Sequence, residues 1–230
     1  MDFIQNIAQE MQLDPVGFSK LPETYQKRFP KMQSVITLVV PLSTAVVDEI
    51  DTIPTATYYQ HYRTVNAYID HVETMMGLAL IRRGIRYIAV PASQSVREGR
   101  AYAGIFPHKT GAVNAGLGFI GRSALFVSYR YGPRVRLGSI LTDAPIETLE
   151  EPMVTGACGS CRKCVEACPA HAITGVLWQK GMPREELMNA EACSQYMKTH
   201  FQNIGRGSVC GLCMRACPYG SDLGFTFQGK

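Results

Sequence analysis

All eight cysteines of this 230-residue chain lie in its last third. The first run is spaced as Cys158-x2-Cys161-x2-Cys164-x3-Cys168 and is followed by proline. The second run is spaced as Cys193-x16-Cys210-x2-Cys213-x3-Cys217 and is also followed by proline. The first run has the ligand spacing of a [4Fe–4S] cluster, and the second repeats its end. The spacing therefore predicts two clusters that use every cysteine, and one-electron transfer as the chemistry.

Each run ends in a cysteine that is predicted to bind the cluster of the other run. In two-cluster ferredoxins the fourth cysteine of such a run binds the other cluster. We therefore assign cluster one to Cys158, Cys161, Cys164 and Cys217, and cluster two to Cys193, Cys210, Cys213 and Cys168. Zinc is the alternative, because structural zinc sites also use C-x2-C pairs. Disulfides are a further alternative, but no feature of the sequence marks the chain as secreted.

Composition and charge describe an ordinary globular protein. Hydrophobic residues make up 46% of the chain and charged residues 18%, and the net charge of +4 permits an acidic partner without requiring nucleic acid. The segment from Met1 to Leu13 has no apolar signal core, and the apolar run from Val35 to Leu42 is too short to span a bilayer. We expect a reducing cytoplasm and no membrane association.

Apolar periodicity predicts an α/β or α+β domain over residues 1–150. Predicted helices cover Phe3 to Leu13 and Thr55 to Arg83, and predicted strands cover Val16 to Leu21, Ser34 to Pro41, Ile85 to Val90 and Val135 to Leu141. Gly84 is predicted to end the long helix. We place a domain boundary in the polar segment from Glu147 to Thr155. Residues 151–230 then form a cluster module of loops and short helices with little apolar core of its own.

A glycine-rich segment from Ala115 to Ser123 precedes the cysteines. Gly116, Gly118 and Gly121 form G-x-G-x-x-G, but a dinucleotide site needs a strand before the motif, and Thr110 to Ala115 favours a helix. Two other interpretations stay open. The glycines form a backbone-rich loop beside a large flat cofactor, or they form a tight connection from helix to turn to strand.

The segment AGLGFIGRSALFVSYRYGPRVRLGSILTD, with CGSCRKCVEACPAHAI and CGLCMRACPYGSD after it, resembles the epoxyqueuosine reductase and reductive dehalogenase superfamily. The resemblance covers roughly residues 30 to 222. It implies a nitroreductase-like α/β domain that holds cobalamin, followed by a ferredoxin-like module with two [4Fe–4S] clusters. The implied cofactor loop contains Gly116, Gly118, Gly121 and Arg122. His108 and Lys109 precede this loop and are further candidate cofactor contacts, or else a solvated pair.

The resemblance also suggests a proton donor. Epoxyqueuosine reductases carry an aspartate about 13 residues before the glycine loop, where this chain has Tyr102. Reductive dehalogenases use a tyrosine as proton donor, so Tyr102 is the candidate catalytic residue. Arg100 lies beside it in sequence. A half-buried structural tyrosine is the alternative.

These observations predict an iron–sulfur oxidoreductase that passes electrons to a corrinoid in its N-terminal domain. The alternative is an electron-delivery or reductive-activation protein for a partner corrinoid protein, and a flavin in the α/β domain is a third interpretation. We expect a ferredoxin- or flavodoxin-type electron donor and a small-molecule substrate. Epoxyqueuosine reductases continue into a helical-repeat region that helps to hold tRNA, whereas this sequence ends 13 residues after Cys217, so tRNA is not expected.

Overall fold

The computed structural model describes residues 2–11, 13–94, 102–145 and 157–220, and within them the protein is a mixed α/β structure, as predicted. The strands are β1 Val16–Lys20, β2 Ser34–Pro41, β3 Tyr87–Val90, β4 Gly118–Ile120, β5 Phe126–Ser128 and β6 Val135–Thr142. The α-helices are α1 Asp2–Glu10, α2 Glu23–Gln26, α3 Thr44–Asp48, α4 Ala56–Ile81, α5 His108–Asn114, α6 Lys163–Glu166, α7 Arg184–Leu187, α8 Ala190–His200 and α9 Leu212–Arg215, with a 3-10 turn at Gly205–Gly207.

Four of these strands form one sheet in the order β1-β2-β6-β3. Strands β1 and β2 are antiparallel, with Phe18 opposite Ile36, and β3 and β6 are antiparallel, with Ala89 opposite Ile140. Strand β2 is buried along its length except at its last residue, which explains why its sequence is a continuous apolar run rather than an alternating one. The prediction for this strand is confirmed at both ends.

Helix α4 confirms the long helix that the three- and four-residue apolar steps predicted. Its buried face includes Ile69, Val72, Met76 and Leu80. Gly84 caps the C-terminal end of the helix, as predicted, and its φ of 72° is left-handed. The Gly84 N–H donates to the Ile81 carbonyl at 2.9 Å, and the next N–H donates to the Leu80 carbonyl at 3.1 Å. These two bonds form a Schellman cap, which satisfies carbonyls that the helix itself leaves unpaired.

The chain divides into two compact units, each built from three separate segments. The first unit comprises the described residues within Met1–Val40, Thr64–Leu117 and Arg136–Pro152. Its apolar core includes Leu21, Val35, Val90, Phe106 and Leu141. Three of these five residues, Val35, Val90 and Leu141, lie on strands of the four-stranded sheet. None of the helices in the described part of the chain combines the length and apolar character that crossing a membrane requires.

The second unit comprises the described residues within Pro41–Arg63, Gly118–Val135 and Met153–Lys230. Residues that precede the cysteines therefore add apolar core to the cysteine-rich segment. Ile50 and Tyr58 are buried, and a methyl group on Gly211 would lie 2.7 Å from Ile50 Cδ1 and 3.0 Å from the Tyr58 ring. The predicted boundary between Glu147 and Thr155 falls outside the described residues, so the division at residue 150 stays a prediction.

The glycine segment is a connection from helix to turn to strand. Gly116 has a φ of 70° and ends α5 with a second Schellman cap, in which its N–H donates to Val113 and the Leu117 N–H to Ala112, both at 3.0 Å. Strand β4 then pairs with β5 in an antiparallel hairpin that the sequence analysis did not identify. A dinucleotide fingerprint runs in the opposite order, from strand to helix.

Candidate metal centre

Short helices position the cysteines within the second unit. Cys164 lies on α6 and Cys213 on α9, and these two helices pack against each other. Cys193 lies in the first turn of α8, where the Asn189 side chain caps the helix by accepting the Ala192 N–H at 2.9 Å. All eight thiols are free, and Cys168 is buried while the others are half-buried.

The first group of thiols contains the first three cysteines of the first run and the last cysteine of the second. One cavity is lined by Cys158, Cys161, Cys164 and Cys217. Burial, together with smaller contributions from the like charges of Cys158, Cys164 and Cys161, raises the pKa of Cys217 to about 12. Cys217 therefore lies with the first run, as the predicted exchange requires.

The second group contains the first three cysteines of the second run and the last cysteine of the first. Burial raises the pKa of Cys193 to about 11, with further contributions from Cys210 and Cys168. Burial also raises the pKa of Cys213, and Cys210, Cys193, Cys168 and Cys164 add to the effect in that order. The two groups are neighbours, because Cys164 on α6 and Cys213 on α9 lie on helices that pack against each other. The assignment of each thiol to an iron stays a prediction.

Crowded and buried thiols need a cationic centre if they are to ionise. A metal that binds a thiol removes its proton, so iron would relieve the desolvation that raises these pKa values. Among the described residues, no three His, Cys, Asp or Glu side chains are arranged to hold one metal ion. The thiolates of a cubane each bind a different iron, whereas the four ligands of zinc converge on one ion.

Backbone N–H groups point at two of the sulfurs. The Arg122 N–H donates to Cys158 Sγ at 3.4 Å, and the Ala172 N–H donates to Cys168 Sγ at 3.4 Å. Such bonds reduce the negative charge on a thiolate ligand. Ala172 and Ile173 are buried with Cys168 in an apolar cluster, which keeps water away from the second group of thiols.

The predicted glycines of the cofactor loop make room for protein atoms. A methyl group on Gly118 would lie 2.1 Å from the Val127 carbonyl oxygen, and one on Gly121 would lie 2.9 Å from Val127 Cγ2 and 3.7 Å from Cys158 Sγ. Arg122 is 7% exposed, and its guanidinium donates to the carbonyls of Gly159, at 2.5 Å, and Gly175. Gly121 and Arg122 therefore lie at the first group of thiols.

The other predicted site residues lie in the first unit. Half-buried His108 contacts Ser139 Oγ through Nδ1 at 2.9 Å and the Pro91 carbonyl through Nε2 at 3.2 Å. Burial lowers the pKa of His108 to about 4. Lys109 is half-buried on α5. Tyr102 is 41% exposed with a φ of 56°, and Arg100 lies outside the described residues. Contacts of these residues with an organic cofactor or substrate stay predictions.

An ionic group that was not predicted from sequence includes Arg215, two residues after Cys213. Arg134 is 1% exposed and donates to Asp48 Oδ1 at 2.8 Å, and Arg215 Nε lies 3.3 Å from the same oxygen. The hydrogen bond from Arg134 lowers the pKa of Asp48. Because Arg215 lies two residues after Cys213, Asp48 connects α3 to the helix that carries a predicted ligand.

Tyr219 is a further contact of the cysteine-rich segment that was not predicted from sequence. Its hydroxyl donates to the Ala157 carbonyl at 2.9 Å, and its ring contacts Phe119 edge-on at 5.7 Å between centroids. A methyl group on Gly132 would lie 2.2 Å from the Tyr219 carbonyl oxygen. Tyr219 therefore joins both ends of the cysteine-rich segment to the β4–β5 hairpin. Only its position two residues after Cys217 gave a signal in the sequence.

Comparison with known proteins identifies the cysteine-rich segment. Residues 157–220 match the family described as a 4Fe-4S double cluster binding domain. The chain is 32% identical to an epoxyqueuosine reductase of Lactococcus garvieae over 126 residues, which are 51% of this chain and 33% of the relative. It is 28% identical to a tetrachloroethene reductive dehalogenase of Sulfurospirillum multivorans over 151 residues, which are 63% of this chain and 28% of the relative.

Solved structures share the fold. The catabolic reductive dehalogenase NpRdhA, in complex with 3-bromo-4-hydroxybenzoic acid, matches 95% of this chain and 31% of its own with a TM-score of 0.74 at 19% identity. A crystal structure of epoxyqueuosine reductase matches 95% of this chain and 65% of its own with a TM-score of 0.57 at 18% identity. The chain spans about a third of the length of the curated relatives it matches.

Proposed function

We propose a function on the basis that this chain belongs to the superfamily of the epoxyqueuosine reductases and the reductive dehalogenases. The chain is an iron–sulfur oxidoreductase that passes electrons through two [4Fe–4S] clusters to a corrinoid held by its N-terminal part. The grouping of eight free thiols into two sets of four, each with one member from the other run, is the observation that carries the proposal.

The proposed architecture has two functional parts. Residues 151–230 form a ferredoxin-like module, and residues 1–150 form a nitroreductase-like domain for the corrinoid. The clusters supply one-electron transfer, and the corrinoid, when bound, supplies a reducible cobalt. Support for the corrinoid comes from a reductive dehalogenase of the same fold, whose structure suggests a mechanism for B12-dependent dehalogenation. Tyr102 is the proposed proton donor to the substrate.

The chain's own residues prepare the cluster sites. The eight thiolates bind iron, and the N–H groups of Arg122 and Ala172 stabilise the charge on Cys158 and Cys168. Apolar contacts with Ile173 exclude water from cluster two. Lower solvent access changes the free energy of adding an electron, so the packing around each cluster contributes to its reduction potential.

The proposed electron donor is a ferredoxin- or flavodoxin-type protein, and the proposed electron acceptor beyond the corrinoid is a small molecule. A solved epoxyqueuosine reductase is in complex with an epoxyqueuosine-modified tRNA stem loop. That finding concerns the relative, but it adds tRNA to the substrates to be tested with this chain.

A second candidate function is electron delivery to a partner corrinoid protein, without a corrinoid or substrate turnover of the chain's own. Two of the predicted cofactor contacts favour it. Both ring nitrogens of His108 already contact protein atoms, and the Arg122 guanidinium already bonds two carbonyls near the first group of thiols.

The test is the cofactor content of protein purified without oxygen and reconstituted with iron, sulfide and cobalamin. The first function predicts about eight irons per chain, one base-off corrinoid, and substrate turnover that Tyr102→Phe reduces. The second predicts the same iron without corrinoid, and electron transfer to a corrinoid protein. A flavin spectrum in place of a corrinoid spectrum would mean that the organic cofactor is a flavin. Zinc, or far fewer irons, would contradict both functions.

A further inference from the structure

Arg122 is a buried arginine at the predicted site of cluster one. It is 7% exposed, and it lines the same cavity as Cys158, Cys161, Cys164 and Cys217. Its Nε is buried without a hydrogen-bond partner in the described part of the protein. No carboxylate among the described residues forms an ion pair with it. A buried cation without a counter-charge is strongly destabilising, because it has lost its hydration and gained no opposite charge in return.

A reduced or oxidised [4Fe–4S] cluster with four thiolates supplies that counter-charge, because the thiolates give it a net negative charge. We propose that Arg122 is the counter-charge and positioning residue of cluster one. This inference rests on the proposed iron–sulfur function. The positive charge favours the more negative, reduced cluster, and so raises the reduction potential of cluster one relative to a chain that lacks the charge.

The same side chain holds the ligand loop. Its two terminal nitrogens donate to the carbonyls of Gly159, at 2.5 Å, and Gly175. Gly159 lies between the first two cysteines of cluster one, and the Arg122 backbone N–H donates to the first of them, Cys158, at 3.4 Å. Arg122 thus connects the β4–β5 hairpin to the ligand loop through both its backbone and its side chain.

Charge and positioning can be separated by two substitutions. Arg122→Lys keeps the positive charge but cannot bond two carbonyls with a fixed planar fork. Arg122→Gln removes the charge and keeps a shorter hydrogen-bonding group. Exposed Arg130, also in the second unit, gives the control variant Arg130→Gln, which removes the same charge from the protein surface.

The experiment is an anaerobic redox titration of the reconstituted full chain, followed by electron paramagnetic resonance, with iron counted for each variant. We expect Arg122→Gln to lower one of the two midpoint potentials. At the wild-type midpoint the reduced-to-oxidised ratio of that cluster falls at least about tenfold, which is about 59 mV for one electron. The other midpoint stays unchanged. Arg122→Lys and Arg130→Gln keep both midpoints, and Arg122→Lys loses iron from that cluster faster on exposure to chelator.

Unchanged midpoints in fully loaded Arg122→Gln would overturn the inference. If Arg122→Gln does not bind its full complement of iron, then Arg122→Lys is the deciding variant. Full iron content with an unchanged midpoint in Arg122→Lys supports the role of charge. Failure of both variants to bind iron on reconstitution, or an equal midpoint shift in both, overturns it. Failure of the proposed function is distinct, because wild-type protein itself would then lack two clusters.

Discussion

Glu73 is a carboxyl group buried in the first unit with little to stabilise its charge. It is 1% exposed, and it accepts the Ser139 N–H at 2.6 Å. A methyl group on Gly138 would lie 2.6 Å from Glu73 Oε1, so the carboxyl lies directly against the β6 backbone. Burial raises the pKa of Glu73 to about 9. The folded protein therefore keeps a proton at neutral pH that the unfolded chain releases.

This raised pKa predicts the direction of pH-dependent stability. Because the folded-state pKa exceeds the unfolded value, the free energy of unfolding falls as pH rises from about 5 to about 9, by up to about 1.4 kcal/mol per pH unit. His108 has the opposite sign, since its pKa is lowered, but its effect is complete above about pH 6.5. Glu73→Gln cannot ionise, so we expect urea unfolding between pH 7 and 9 to lose this slope.

The control for Glu73 is an exposed acid of the same unit. Glu10→Gln on α1 should keep the wild-type slope, because that side chain is exposed. A Glu73→Gln protein whose stability still falls with pH as steeply as wild type would show that Glu73 is not the responsible group.

Paired cysteine substitutions test the exchange between the two runs. If Cys158 and Cys217 bind the same cluster, Cys158→Ser with Cys217→Ser removes one cluster and leaves about four irons. If Cys168 binds the other cluster, Cys158→Ser with Cys168→Ser removes both. If each run instead binds its own cluster, the Cys158 and Cys217 double variant loses both clusters, and the Cys158 and Cys168 double variant keeps about four irons. Iron analysis and electron paramagnetic resonance of both double variants, beside Cys158→Ser alone, distinguish the two arrangements.

Cysteine spacing allows a ligand prediction from sequence alone, whereas the buried ionisable groups gave no such signal. Ligand spacing is a local property, because three successive thiols must reach neighbouring corners of one cubane. The burial of Glu73 depends on Gly138 and Ser139, which lie more than sixty residues further along the chain. The buried state of Arg122 likewise depends on carbonyls that follow it by 37 and 53 residues.

At the scale of elements, Asp48 at the end of α3 pairs with two arginines that differ in burial, Arg134 before β6 and Arg215 on α9. Arg134 is 1% exposed, whereas the side chains of Asp48 and Arg215 are 37% and 45% exposed. We therefore expect unequal effects of removing each partner. Asp48→Asn leaves a buried cation unpaired and should destabilise the second unit by about 3–5 kcal/mol. Arg134→Met leaves Asp48 partly solvated and beside Arg215, so its cost should be smaller.

Urea unfolding of the two variants measures this difference. Arg184→Met is a control, because the Glu185 side chain that it pairs with is 53% exposed, and ion pairs that solvent reaches contribute about 0–1 kcal/mol. Equal costs for Asp48→Asn and Arg134→Met, or a larger cost for the arginine variant, would contradict the importance of arginine burial.

Element prediction succeeded where the apolar period was long and failed where elements were short. Helix α4 repeats its apolar step over 26 residues, and β2 is an eight-residue apolar run, so each carries a clear signal. Strands β4 and β5 have three residues each, and the first begins with glycine. Their hairpin forms because Phe119 and Val127 are buried by residues distant in sequence, including Tyr219.

At the scale of the whole molecule, the cysteine-rich segment depends on earlier parts of the chain for its folding. Residues 41–63 add Ile50, Tyr58 and Asp48 to the second unit, and residues 118–135 add the hairpin and Arg122. Short segments rich in metal ligands often fold only with metal bound, because they bury too little apolar surface. The earlier segments supply apolar surface and hydrogen bonds that such a module lacks.

This dependence predicts how truncated chains bind iron. A fragment of residues 153–230 lacks the β4–β5 hairpin, so it should retain fewer irons than the full chain and lose them faster to a chelator. A fragment of residues 118–230 restores Arg122 and the Phe119 contact with Tyr219, so it should hold cluster one more firmly. It still lacks Asp48, and it should therefore stay less stable than the full chain. The iron content per chain and the rate at which iron is lost to a chelator, both measured without oxygen, rank the two fragments and the full chain. Full and equally stable loading of the 153–230 fragment would mean that the cysteine-rich segment folds around its clusters unaided.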